Sequence, residues 1–166
     1  MDTTTVEILR ILQADARTPN AEIARRVGLA ASAVHDRIRK LEERGLVRGY
    51  SARLDPRSLG LGLLAYVFVR AEERVGSDET GEQLASLPEV QEVHHIAGED
   101  CFLVKVRAPD TETLGNLLRD RIGALPSVRS TRTTIVLRTL KETGALPIGA
   151  PDETVDAEPV EAAVDA

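Results

Sequence analysis

The chain has 166 residues, room for one ordinary domain or two small ones, and its 42% hydrophobic and 29% charged content is that of a globular protein. Aromatic residues make up only 2% (Tyr50, Tyr66, Phe68 and Phe102), so the core is aliphatic, and a single-strand nucleic-acid binder, which stacks bases on aromatic platforms, is disfavoured. The net charge of −6 hides an asymmetry: residues 1–60 hold eleven Lys/Arg against eight Asp/Glu, whereas residues 61–166 are strongly acidic, with no Lys or Arg after Lys141.

One cysteine, Cys101, leaves no internal disulfide framework and no cysteine-rich zinc site. No apolar run reaches the roughly 18 residues of a membrane span, and MDTTTVEILR is neither a basic leader nor a long apolar segment. The expectation is a cytoplasmic protein without membrane contact.

In chain order, residues 3–15 place Val6, Leu9 and Leu12 at three-residue steps, with Ile8 and Ile11 widening the stripe, which predicts a helix. Pro19 breaks it and Asn20 is placed to cap a second helix over 20–27, with Ile23 and Val27 on one face and Gly28 as the stop. A third helix over 31–44 sets Val34, Ile38 and Leu41 inward, and Gly45 closes it. Three short helices with a tight turn between the second and third predict a helix-turn-helix. LVRGYSARLD, residues 46–55, then reads as a wing or linker strand.

From Gly62 the periods run strand, helix, strand, strand, helix, strand: 63–70, 77–87, 90–96, 101–107, 111–123 and 128–140, with a hairpin turn at 97–100 and Asp110 capping the second helix. The expected domains are a DNA-binding unit at 1–50, a linker strand at 51–61, a βαββαβ unit at 62–142 and an acidic, unstructured tail at 143–166. Two helices cover one face of a four-stranded sheet. Because the first strand is apolar on both faces, the other face is expected to pair with a second copy.

The third helix carries the functional constellation. Opposite Val34, Ile38 and Leu41 lie Ser32, Asp36, Arg39, Lys40 and Glu43, with His35 and Arg37 on the flanks. A helix in the major groove contacts base edges through its N-terminal half and phosphates elsewhere. Ser32, His35 and Asp36 are therefore expected at base edges of double-stranded DNA. Arg37, Arg39 and Lys40 are expected on phosphates, with Arg25, Arg26, Arg48 and Arg53 as outer basic contacts. Asp36 is expected to pair with Lys40 one turn on.

NAEIARRVGLAASAVHDRIRKLEERGLVRGYSARLDPRSLG resembles the signature of the Lrp/AsnC family, the feast/famine transcriptional regulators. IAGEDCFLVKV and TRTTIVLRTLKE are similar to that family's effector-domain hairpin and final strand. The likeness spans residues 4–142. It implies an α+β chain: a winged helix-turn-helix followed by a ferredoxin-like βαββαβ domain. It also implies homodimers that assemble further, often to octamers, and a free amino acid as effector, with no cofactor. Carried over by position, the effector-site candidates are Gly98, Glu99, Asp100 and Cys101, with Thr131, Thr133 and Thr134 on the last strand. Backbone N–H groups at a glycine turn can hold a carboxylate, and Glu99 or Asp100 an ammonium; Gly98 fits equally an ordinary hairpin glycine of positive φ.

Two positions depart from the pattern. Ala30 stands where Ser or Thr commonly caps the recognition helix, and Cys101 where the hairpin commonly has Asp. His94 and His95 fall on opposite faces of a strand, which disfavours a metal pair. No nucleophile–base arrangement or phosphate loop points to an enzyme. The lone aromatic on the central strand, Phe102, argues against an RNA-recognition sheet.

Overall fold

The computed structural model describes residues 1–74 and 77–149. The chain divides into two compact units: Met1–Ala52 together with the chain from Thr143, and Arg53–Glu142.

In the first unit, α1 (Thr3–Ala14), α2 (Asn20–Val27) and α3 (Ala31–Glu43) pack around Ile8, Ile11, Ile23, Ala24, Val34 and Ile38. The core face of α1 is carried by Val6, Ile8 and Ile11, while Leu9 and Leu12 are only half-buried on its flank. That differs from the expected Val6–Leu9–Leu12 stripe, because Ile8 and Ile11 are the residues that turn toward α2 and α3. Asp2 caps α1 by accepting the Thr5 N–H at 2.6 Å. Pro19, not Asn20, occupies the cap of α2; Asn20 is already the first helical residue, and no side chain caps that end. Gly28 closes α2 at φ 70, a left-handed position suited to glycine. Ala30 opens α3 without any side-chain cap, and Ser32 is exposed within the first turn.

Residues 46–55 form no strand. A strand exists by its ladder, and this segment finds no bridging neighbour among the described residues. Tyr50 instead ties it to α3, its hydroxyl donating to Glu42 at 2.8 Å.

The second unit is a four-stranded antiparallel sheet in the order β2-β3-β1-β4, with β1 Leu63–Ala71, β2 Val90–His95, β3 Phe102–Ala108 and β4 Val128–Ile135. Helices α4 (Glu79–Ala85) and α5 (Thr111–Leu117) cover one face. Their Leu84, Leu114 and Leu117 meet Val67, Val69, Phe102, Val104 and Val106 in an aliphatic core. α4 is shorter than the expected 77–87, whereas α5 and the helical turn that continues it span 111–122 of the expected 111–123. The end of α5 widens into a π-helical turn, Leu118–Ile122, whose last carbonyl partner is the Gly123 N–H, 2.8 Å from the Leu118 oxygen. A Cβ on Gly123 would itself sit 2.8 Å from that oxygen, so the turn needs glycine there.

β4 ends at Ile135 rather than 140: its last pair with β1, its only neighbour in the sheet, is Ala65–Ile135, and one further bond, from the Val136 N–H to the Leu64 carbonyl at 2.9 Å, closes the ladder. Residues 143–149 also depart from the expected loose tail: Gln13 and Arg10 of α1 bind the backbone of Leu146 and Ile148. The rest of the expected unstructured tail, 150–166, lies outside the described residues.

An N-cap with φ −74 and ψ 148 suits serine as well as alanine. Ala30→Ser is therefore expected to stabilise the first unit by about 1 kcal/mol, raising its melting temperature by about 4 °C. An unchanged thermal unfolding curve would show that the free N–H groups of α3 find no benefit in a side-chain acceptor.

Candidate functional site

Burial of Val34, Ile38 and Leu41 turns the opposite side of α3 outward, and Ser32, His35, Asp36, Arg39 and Lys40 are all exposed on it. The Asp36–Lys40 pair is absent. Arg39 lies between two carboxylates instead, 3.9 Å from Asp36 and 3.8 Å from Glu43. Its longer forked side chain reaches both turns, which leaves the Lys40 ammonium without an ion pair among the described residues. These contacts are long and solvated, so they hold Arg39 weakly and leave it available to a stronger anion.

Arg37 is placed differently. Its guanidinium donates to Asp2 at 2.7 Å and to the Thr5 hydroxyl at 3.1 Å, fastening α3 to the start of α1. The expected phosphate contact is thus committed inside the unit. Arg25 and Arg26 both bind Glu22, at 2.7 and 2.9 Å, and their guanidinium groups hold its carboxyl at about 2. They remain exposed, but one carboxylate offsets one of the two charges. Arg48 is exposed and makes no ion pair among the described residues. Arg53 belongs to the sheet unit and donates to the Glu142 carbonyl at 2.9 Å.

On the sheet, the turn between β2 and β3 is closed by the Ile96 N–H donating to the Cys101 carbonyl at 2.9 Å. Gly98 sits at φ +140 with open space where a side chain would project. Glu99 is exposed; Asp100 is three-quarters covered and accepts from Arg132 at 2.8 Å. Arg132 lies on β4 with its guanidinium carbon 3.9 Å above the Phe68 ring. Cys101 is half-buried, its thiol donating to the Ala71 carbonyl at 3.2 Å and its N–H to the Val69 carbonyl at 2.9 Å. Cys101, Ala71, His95 and Phe102 border a cleft of about 250 Å³ at this end of the sheet.

The three threonines do not converge. Thr131 and Thr133 pair with Val69 and Val67 and so share the helix-covered face, whereas Thr134 pairs with Tyr66 and faces away. Arg132 is the site residue that the sequence reading missed. Only the alternation of β4, which puts it beside Phe68, could have signalled it.

The sheet face without helices carries Leu64, Tyr66, Phe68 and Leu103. Beside them Lys105 is nearly covered, and its ammonium donates to Glu92 at 2.9 Å and to Glu142 at 2.6 Å. Arg107 also binds Glu142, at 3.0 Å. Lys105 lowers the pKa of both carboxyl groups. Burial opposes the lysine's charge, yet Glu142 and Glu92 together outweigh it and raise its pKa. Among the described residues no group of three or more His, Cys, Asp or Glu side chains could hold a metal. No helix there is long and apolar enough to cross a membrane.

The Arg37 hydrogen bond, followed by the Thr5 N–H, holds the Asp2 carboxyl at about 2, below its ordinary 3.8. A depressed acid stabilises the fold above its unfolded pKa and loses that contribution as pH falls through the folded one. Asp2→Asn, which keeps a capping oxygen, is expected to lower stability at pH 6 by no more than about 1 kcal/mol, because both partners are wet. Its melting temperature should converge on that of the parent between pH 4 and pH 2. A gap as wide at pH 2 as at pH 6 would mean that the charge on Asp2 is not what fastens α3 to α1.

Residues 1–48 match the family model described as winged helix-turn-helix DNA-binding, and residues 64–146 match the Lrp/AsnC ligand binding domain. The HTH-type transcriptional regulator FL11 of Pyrococcus horikoshii is 43% identical over 142 residues, 86% of this chain and 93% of its own length. The leucine-responsive regulatory protein of Escherichia coli is 37% identical over 145 residues, 85% of this chain and 87% of its own. The structure of the feast or famine regulatory protein from M. tuberculosis, solved with L-methionine, superposes with a TM-score of 0.81 at 36% identity, covering 90% of this chain and 99% of that one. The chain belongs to the Lrp/AsnC family: it is a DNA-binding transcriptional regulator rather than an enzyme, with an α+β build of helix-turn-helix reader and ligand-binding sheet domain.

Proposed function

We propose that this regulator reads duplex DNA in the cytoplasm as a homodimer, with Ser32, His35 and Asp36 of α3 at base edges and Arg39, Lys40 and Arg48 on phosphates. Arg25 and Arg26 add to the outer basic rim. The observation that carries this reading is the outward face of α3, where Lys40 has no competing carboxylate and Arg39 is held only at long range. Electrostatic contact of this kind supplies most of the affinity, while the short polar side chains at the start of the helix discriminate between bases.

The helix-free sheet face supports pairing with a second copy, since Leu64, Tyr66, Phe68 and Leu103 form an apolar centre with charged residues around it. Further assembly toward octamers follows from the family resemblance. The effector is an amino acid, held near the Gly98–Cys101 turn. Asp100 is already bound by Arg132, so the exposed Glu99 is the carboxylate free to meet the ammonium, and the open N–H side of the Gly98 turn receives the carboxylate. The relatives named for leucine and solved with L-methionine make these two the first ligands to try.

Two measurements test this. Replacing Arg39 and Lys40 with Ala should weaken binding to every duplex and flatten the dependence of log K on log salt by about one unit per lost phosphate contact. An unchanged slope would remove α3 from the DNA backbone. A thermal-shift series over the common amino acids, with L-methionine and L-leucine included, should pick out a ligand that stabilises by about 2.7 kcal/mol at a hundredfold excess over its Kd. Gly98→Val should abolish that shift. A panel with no responder would leave a DNA-binding protein whose sheet domain only assembles.

A further inference from the structure

We propose that residues 143–148 are a latch of the DNA reader: seated on Gln13 and Arg10 of α1, they wall the cleft beside residues 46–50 and so hold Arg48 where it meets the DNA backbone. The proposal rests on the role given to Arg48 above, and two independent observations carry it.

The first is how the latch is built. The Thr143 hydroxyl accepts the Ala145 N–H at 3.0 Å, and the Ile148 N–H donates to the Leu146 carbonyl at 2.9 Å. The second bond closes a three-residue turn around Pro147, whose ring fixes φ near the value that a turn of this size needs. That turn is gripped from α1. The Gln13 side-chain amide donates to the Leu146 carbonyl at 2.7 Å, and its oxygen accepts the Leu146 N–H at 2.9 Å. The Arg10 guanidinium adds two bonds to the Ile148 carbonyl, at 3.1 and 3.3 Å. Arg10 and Gln13 stand three residues apart, so one face of the helix makes all four bonds. Both backbone groups of Leu146 and the carbonyl of Ile148 thus have partners, which separates a seated segment from a loose one.

The second is what the latch faces. Leu146 and Ile148 border an apolar cleft of about 530 Å³ together with Leu9, Leu12, Arg48 and Tyr50. Residues 48–51 are sparsely held. The Val47 N–H still reaches the Leu41 carbonyl at 3.2 Å; beyond it, among the described residues, only the Tyr50 hydroxyl is bound, to Glu42. Gly49, at φ +148, adds freedom of its own. With the latch seated, one wall of the cleft limits how far this segment swings. Less conformational freedom is then left to lose when Arg48 meets a phosphate. Gln13, exposed and uncharged, acts as a positioning residue, reaching DNA only through Arg48.

The experiment compares the full chain with Gln13→Ala, Leu146→Pro, Arg48→Ala and the double variant Gln13→Ala/Arg48→Ala in fluorescence anisotropy on one duplex. Alanine suits an exposed helix position, and proline at 146 removes the N–H that Gln13 accepts. The latch is therefore unseated from either side with no change of charge. Gln13→Ala and Leu146→Pro should each weaken binding about two- to five-fold. In the Arg48→Ala background the Gln13 change should add nothing, because the contact it positions is gone. Equal losses in both backgrounds, or no loss from either latch variant, overturn the positioning. Arg48→Ala without effect removes Arg48 from the DNA and the positioning with it. The seat is read without DNA by amide hydrogen exchange: the Leu146 N–H should exchange about ten-fold more slowly in the parent than in Gln13→Ala. Equal rates overturn the latch even where Arg48 proves to bind DNA.

Discussion

What α3 can offer to a partner is fixed by the burial of three aliphatic side chains on its other side. Val34, Ile38 and Leu41 are within 9% of full burial, and they lock the helix rotation against α1 and α2. With no aromatic residue in that core, the fit depends on many small contacts between branched side chains rather than on one large ring. A rotation of α3 by one residue, about 100°, would bury charge and expose Ile38. The aliphatic stripe therefore sets not only stability but also which polar atoms are presented, in which order, along the exposed face.

The sheet unit applies the same logic with a period of two. Alternate residues of β1 enter the helix-covered core, and the intervening Leu64, Tyr66 and Phe68 are left to a second apolar face. A cation sits beside that face only because Glu92 and Glu142 come with it. Removing either carboxylate would leave Lys105 less compensated in a nearly covered position, the costly case for a buried charge. The network also holds the residue immediately before the chain leaves the unit, since Glu142 is bound by Lys105 and Arg107 through its side chain and by Arg53 through its carbonyl.

Much of this was legible in the sequence, for a physical reason: helices and strands announce themselves by the period of their apolar residues, and both units follow those periods closely. The three helices of the reader, the strand order of events in the sheet unit and the outward set Ser32, His35, Asp36, Arg39 and Lys40 all come from local spacing. What local spacing does not carry is partnership across the fold. The strand expected over 46–55 needed a ladder neighbour that the sequence alone could not supply, and the ladder of β4 on β1 ends at the Ala65–Ile135 pair, short of the residue 140 expected. The seating of Leu146 on Gln13 joins residues 133 positions apart, with no composition signal on either side.

The same limit explains how the cations divide. Arg37, Arg132 and Lys105 are each bound by carboxylates far away in sequence: Asp2, Asp100, and the pair Glu92 and Glu142. Arg39, Arg25 and Arg26 have only partners within one turn of their own helix, in contacts that solvent shares. A tertiary pair is fixed by the fold at both ends and does not open without cost to packing, whereas an intrahelical pair exchanges for another anion by a change of rotamer. In this chain, then, a cation's role follows from the sequence distance to its carboxylate. Each long-range pair fastens elements within a single unit, and the short-range ones, with Lys40 and Arg48, remain exchangeable for phosphate.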